Sequence, residues 1–290
     1  MPGTITVGLD GTDHSLAAAD WAAAEASRRG AALRMVHAWV WQPLDVPLAM
    51  DAEVQQRWAN DVLRDAEARV AKAFPGLQVA TQLLSSDAVP ALAAEAAKAD
   101  MLVLGSRGHG ALVGYLLGSV ALHVLRHASG PVVLVRNPHE EESGQSSGEV
   151  IVGVQDLDEN GGPVLEFAFA AAAARGARVR AVRAWTVPPV FAWSPGSIWL
   201  AEDAGGLEPL ERKRLADALR PWRERYPQVE VVEHVEIGSA GQVLLSSSGG
   251  ACLMVVGQRA PGSHDVRRIG SVTHAALHHA PCPVAVVPHP

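Results

Sequence analysis

Apolar residues in this chain fall into short blocks separated by longer stretches of helical period. Ile5–Leu9 reads as a buried strand, and Ser15–Arg29 as an Ala-rich helix stopped by Gly30. Leu33–Trp39 predicts a second strand, and Gln42–Asp51, with two prolines, a loop. Ala52–Phe74 carries helical charge spacing and ends at Pro75-Gly76. Val79–Leu84 predicts a third strand, Val89–Ala99 a helix, Met101–Leu104 a fourth strand, Val120–Ala128 a helix and Val132–Val135 a fifth strand. Strands apolar throughout, alternating with helices, predict a parallel sheet covered on both faces. Ligands of such sheets bind beyond the carboxyl ends of the strands, near a switch in strand order. Asp10 and Gly105 both fall on that edge.

The pattern occurs twice. Arg29-Gly30-Ala31-Ala32-Leu33-Arg34-Met35-Val36-His37-Ala38-Trp39 aligns with Arg175-Gly176-Ala177-Arg178-Val179-Arg180-Ala181-Val182-Arg183-Ala184-Trp185, and seven of the eleven pairs are identical. Thr6-Val7-Gly8-Leu9 matches Ile151-Val152-Gly153-Val154, and Pro131–Val135 matches Pro283–Val287. A duplicated domain follows: residues 1–138, a polar Gly/Ser-rich linker over 139–148, and residues 149–290. The predicted architecture is α/β, with two tandem doubly wound domains of five parallel strands each. The strands Val132–Val135 and Val284–Val287 would be sheet edges. Edges need cover, so the two domains are expected to pair through them, which leaves room for a homodimer as well.

Composition narrows the chemistry. The chain has 290 residues, 48% apolar and 19% charged, enough to fill real cores. A net charge of −7 argues against a broad nucleic-acid or acidic-membrane surface. The N-terminus lacks a basic segment followed by an apolar core, and no apolar run reaches about 18 residues; a cytoplasmic location is the expectation. Cys252 and Cys282 are too few for a disulfide framework or a zinc site. His123/His127 and His274/His278 have helical metal-pair spacing but no third ligand, and read as helix-surface histidines. The tryptophans, without interleaved basic residues, read as packing groups rather than a base-stacking platform.

The sharpest signal is Gly105-Ser106-Arg107-Gly108, followed by Gly118-Ser119-Val120 at the start of a helix. Glycines let backbone approach a phosphate, and a helix start offers unpaired N–H groups and a positive dipole end. A glycine turn with a purely structural duty is the competing reading. A Walker loop needs a lysine, and none lies between Gly105 and Ser119. The dinucleotide fingerprint is not met by Gly8-Leu9-Asp10-Gly11-Thr12.

This loop spacing, the Val7-Gly8-Leu9-Asp10 start and the Gly130–Val135 ending together resemble the universal stress protein family, in its tandem two-domain form. The resemblance covers both halves of the chain. It implies an adenine-nucleotide fold and, in many members, bound ATP, with any Mg²⁺ held mainly by the phosphates. Carried over, Gly8, Leu9 and Asp10 would stand near the ribose, and Ala38 would present backbone to adenine. Leu104, Gly105 and Gly108 would line ribose and phosphates; Gly118, Ser119 and Val120 would hold the distal phosphates. In the second copy Gln155 replaces Asp10 and Ala260 replaces Gly108, while Gly257, Gly270 and Ser271 persist. That second site is expected to bind weakly or not at all, although Arg259, Arg267 and Arg268 could hold an anion. No carboxylate lies between Ser106 and Leu117, so binding is better supported than turnover. The implied role is an ATP-binding stress regulator or switch acting on a protein partner still to be identified; a slow ATPase or phosphotransferase, or a nucleotide-free scaffold, is the alternative.

Overall fold

The computed structural model describes residues 3–40, 52–106, 117–136, 148–186, 207–259 and 269–290. They divide into two compact units, the described elements of the first ending at Val135 and those of the second beginning at Glu149.

The first unit runs β1 (Thr4–Leu9), α1 (Asp13–Arg29), β2 (Ala32–Ala38), α2 (Ala52–Ala73), β3 (Val79–Leu84), α3 (Ala88–Ala96), β4 (Met101–Gly105), α4 (Ser119–His127) and β5 (Val132–Val135). Its strands lie in the order β3-β2-β1-β4-β5, all parallel. The order reverses between β1 and β4, and right-handed crossovers then place α1 and α2 on one face and α3 and α4 on the other. Ile5, Val7, Leu33, Met35, Met101 and Val103 are wholly buried, which is why these strands read as continuous apolar runs. Terminal β3 is largely exposed.

Helix α1 starts at Asp13, two residues before the expected start, because Thr12 caps it: the Thr12 hydroxyl accepts from the Ser15 N–H at 3.3 Å. Gly30 ends it at φ 60°, in the left-handed region. The expected loop over residues 42–51 lies outside the described residues.

The second unit repeats the plan. It runs β6 (Glu149–Gly153), α5 (Gly162–Arg175), β7 (Arg178–Trp185), α6 (Leu207–Arg225), β8 (Val231–Ile237), α7 (Ala240–Ser246), β9 (Leu253–Arg259), α8 (Ser271–His279) and β10 (Val284–His289). Its order is β8-β7-β6-β9-β10, again parallel. Gly176 caps α5 at φ 61°, as Gly30 caps α1. Among the described residues no helix is long and apolar enough to cross a membrane.

Candidate functional site

In the first unit the switch between β1 and β4 brings Asp10 and Gly105 together. Val7 stands opposite Val103, so the last residues of both strands share one edge. Leu9 stands opposite His37, which sets Ala38 on the other flank of Asp10. Asp10 is held by the turn that follows it: one carboxylate oxygen accepts from the Thr12 N–H at 3.0 Å and from the Thr12 hydroxyl at 2.6 Å. Gly11 takes φ +82°, which allows the tight turn. Thr12 therefore caps α1 and fixes Asp10 at the same time.

The glycines divide their duties. A Cβ on Gly8 would meet Leu104 Cδ2 at 2.6 Å and Leu92 Cδ2 at 2.9 Å; Gly8 is glycine so that β1 can pack beneath α3. A Cβ on Gly105 would lie 2.8 Å from the carbonyl carbon and oxygen of His14 and 3.0 Å from the Ser15 nitrogen. Gly105 thus lets β4 press against the first turn of α1. Leu9 and Leu104 are buried, so any contact they make with a ligand is through backbone.

Beyond Gly105, Ser106 donates its N–H to the Val135 carbonyl at 2.8 Å, and the Gly118 N–H donates to the Ser106 carbonyl at 2.9 Å. That bond joins the residues on either side of positions 107–116. Gly108 lies outside the described residues. Gly118 caps α4 in an extended conformation with no side-chain hydrogen bond, and Ser119 and Val120 are exposed. The first N–H groups of α4 are therefore unpaired within the helix and open to an acceptor. His123 and His127 place their Nδ1 atoms 2.7 Å from the Ser119 and His123 carbonyls one turn earlier.

Two further residues flank this edge: His37, which the sequence alone did not single out, and Trp58, which it read as a packing group. His37 is buried, with Nδ1 2.7 Å from the Leu9 carbonyl and Nε2 without a partner. Trp58 of α2 meets the His37 ring edge-on at 5.7 Å.

The second unit answers each feature differently. Arg183 stands where His37 stands, and its guanidinium again finds the end of the first strand: it donates to the Gln155 carbonyl at 2.9 Å and the Val154 carbonyl at 3.4 Å. Its Nε grips Glu211 of α6 at 2.6 Å. Burial alone would push the Glu211 carboxyl up, but Arg183 and Arg214 together hold it below its ordinary range. Arg259 is bound through one guanidinium nitrogen to both oxygens of Asp156 at 2.9 Å. A Cβ on Gly257 would lie 2.8 Å from the His289 ring. Thr273 donates to the Gly257 carbonyl at 3.1 Å. Gly270 caps α8 without a side-chain bond, and Ser271 lines a cavity of about 420 Å³ at this edge. Ala260, Arg267 and Arg268 lie outside the described residues.

The signal that could have found this divergence is the mismatched pair His37/Arg183 inside an otherwise well-matched block. The Asp156–Arg259 bridge joins residues 103 positions apart, and no local pattern announces it.

The sequence model of the universal stress protein family matches residues 1–136 and again residues 148–288. A universal stress protein of Mycobacterium tuberculosis is 34% identical over 298 residues, covering 97% of this chain and 96% of its own length. One from Mycolicibacterium smegmatis is 33% identical, covering 98% and 96%. Among solved structures, a universal stress protein from Archaeoglobus fulgidus superposes over 98% of both chains with a TM-score of 0.69 at 18% identity, a likeness of fold. Two matches to the family model, and relatives aligned from end to end, establish that the chain belongs to the universal stress protein family and carries its domain in tandem.

Proposed function

We propose that the protein is an ATP-binding stress regulator whose first unit holds the nucleotide, and whose occupancy sets a surface read by a protein partner. The observation that carries this reading is Asp10, fixed by Thr12 at the switch point, on the same sheet edge as the uncapped start of α4 at Ser119 and Val120. A carboxylate can accept from ribose hydroxyls, and the N–H groups and hydroxyl at Ser119 suit phosphate oxygens. Gly108 completes the loop in sequence and would let its backbone approach the phosphates. The second unit lacks the matching carboxylate at Gln155 and commits Arg259 to Asp156, so it is proposed to hold ATP poorly. Mg²⁺, if it accompanies the nucleotide, would be held by phosphate oxygens, because the loop supplies no carboxylate.

The experiment is mass spectrometry of the ligand released on denaturing the purified protein, with its amount per chain. About one ATP per chain is expected; two per chain, or none, would overturn the assignment. Gly108→Ala should weaken ATP binding, and a time course of ADP formation separates a switch from a slow ATPase.

A further inference from the structure

Two helices of this chain carry histidines one turn apart, and the structure poses the two pairs differently. On α4, His123 and His127 each place Nδ1 2.7 Å from the carbonyl one turn earlier, that of Ser119 and that of His123. Two rings held alike on successive turns are parallel copies about 5.4 Å apart, so their other nitrogens point the same way and do not converge on one atom. On α8, the His274 and His278 ring centres stand 4.3 Å apart with their planes inclined at 34°. His274 is exposed and His278 half-buried, so the pair meets water. The opposite face of α8 is anchored: Thr273, Ala276 and Leu277 are buried, and Thr273 holds the Gly257 carbonyl at 3.1 Å. The two histidines stand on a fixed support.

Their separation suits a particular kind of guest. An imidazole nitrogen binds a late first-row divalent ion at about 2.0–2.1 Å, which puts the ring centre about 3.2 Å from the ion. Ring centres 4.3 Å apart then subtend an angle of roughly 85° at an ion between them. Neighbouring positions of an octahedral or tetragonal site are about 90° apart, whereas a tetrahedral ion would need the ring centres opened to about 5.2 Å. The pair therefore fits Ni²⁺ or Cu²⁺ better than Zn²⁺, and imidazole favours all three over Mg²⁺ or Ca²⁺. Among the described residues no group of three or more His, Cys, Asp or Glu side chains is placed to hold a metal ion, so water must fill the rest of the shell.

We propose that His274 and His278 form a two-histidine site for a divalent ion of the nickel–copper class, its other positions held by water. The ion would clasp two successive turns of α8, so that metal supply sets how firmly this helix is held. The site does not depend on whether the first unit holds ATP.

The test is calorimetric titration of the full chain, without an added histidine tag, with Ni²⁺ in excess Mg²⁺, which occupies any phosphate oxygens. Ni²⁺ binding that needs both histidines is expected. His274→Ala and His278→Ala should each weaken it by about tenfold or more, because each leaves one imidazole where two acted together. His123→Ala/His127→Ala should leave it within about twofold, since those rings do not converge. His274 is exposed, so His274→Ala keeps the test decisive if His278→Ala misfolds. Electron spin resonance of bound Cu²⁺ should show coupling to two imidazole nitrogens in the wild type and to one in either single variant. Ni²⁺ affinity indifferent to His274→Ala, a site lost in His123→Ala/His127→Ala instead, or copper coupled to a single nitrogen in the wild type would overturn the proposal.

Discussion

Gly105→Ala separates packing from ligand contact at the loop that dominates the sequence. The new Cβ would lie 2.8 Å from the carbonyl carbon and oxygen of His14 and 3.0 Å from the Ser15 nitrogen, where ordinary contact begins near 3.4 Å. All three are backbone atoms of the first turn of α1, so no side chain can swing away. That turn is fixed by the Thr12 cap and by the Thr12–Asp10 bonds at 2.6 and 3.0 Å. The strand end and the helix must separate by about half an ångström or more, at a cost of about 1–3 kcal/mol. For a unit of this size that lowers the melting temperature by about 3–10 °C. Calorimetry on nucleotide-stripped protein should show the loss in the first unit. Gly257→Ala should cost less, because its nearest neighbour is the imidazole of His289, a side chain on the penultimate residue. Gly76→Ala, with nothing within 4 Å, is the neutral control. If Gly105→Ala melts within about 1 °C of that control while ATP affinity falls, the glycine serves the ligand and the packing argument is wrong.

Arg183→Met removes the bond to Glu211 and the bonds to the Val154 and Gln155 carbonyls, in a pair whose side chains are 15% and 12% exposed. Urea unfolding should show the second unit weakened by about 2–4 kcal/mol and the first unchanged; equal loss in both units would refute the assignment. Acid should weaken both units. Burial raises Glu95 and Glu211, but their basic partners, Arg34 with Lys98 and Arg183 with Arg214, hold both below 4.5 in the folded state. A carboxyl depressed on folding contributes stability that is complete above its unfolded value and is lost as pH falls through the folded one. Melting temperatures should therefore be level in this respect above about pH 5 and fall below about pH 4.5; Glu95→Gln/Glu211→Gln should already melt lower than wild type at neutral pH and lose less on acidification, and a variant that matches wild type at neutral pH would count against these pairs. Gly30→Ala and Gly176→Ala place a side chain at φ 60° and 61° with open space around it. Each should cost its own unit about 1 kcal/mol by strain alone, and a matched pair of melting shifts is the check.

The fold was largely legible because its signals are local. Buried parallel strands leave unbroken apolar runs, and Gly30 and Gly176 mark their helix ends in identical words. The start of α1 was less legible, since Thr12 acts through a hydroxyl that a periodicity count ignores. At the site, sequence located the edge through Asp10, Gly105 and Ser119, because glycine spacing and strand order are written along the chain. It could not divide the labour among the glycines. Whether a missing Cβ makes room for phosphate or for the backbone of His14 is a matter of direction, not of residue type. Nor could it foresee the second unit: Arg259 looked like a free cation until Asp156, far away along the chain, met it.

Arg183 carries a further consequence. By tying two successive carbonyls just past β6 to a carboxylate on α6, it braces the strand end against the helix through one side chain. Loosening α6 should therefore carry the Val154–Gln155 turn with it, so that this edge of the second unit opens as one cooperative piece rather than residue by residue.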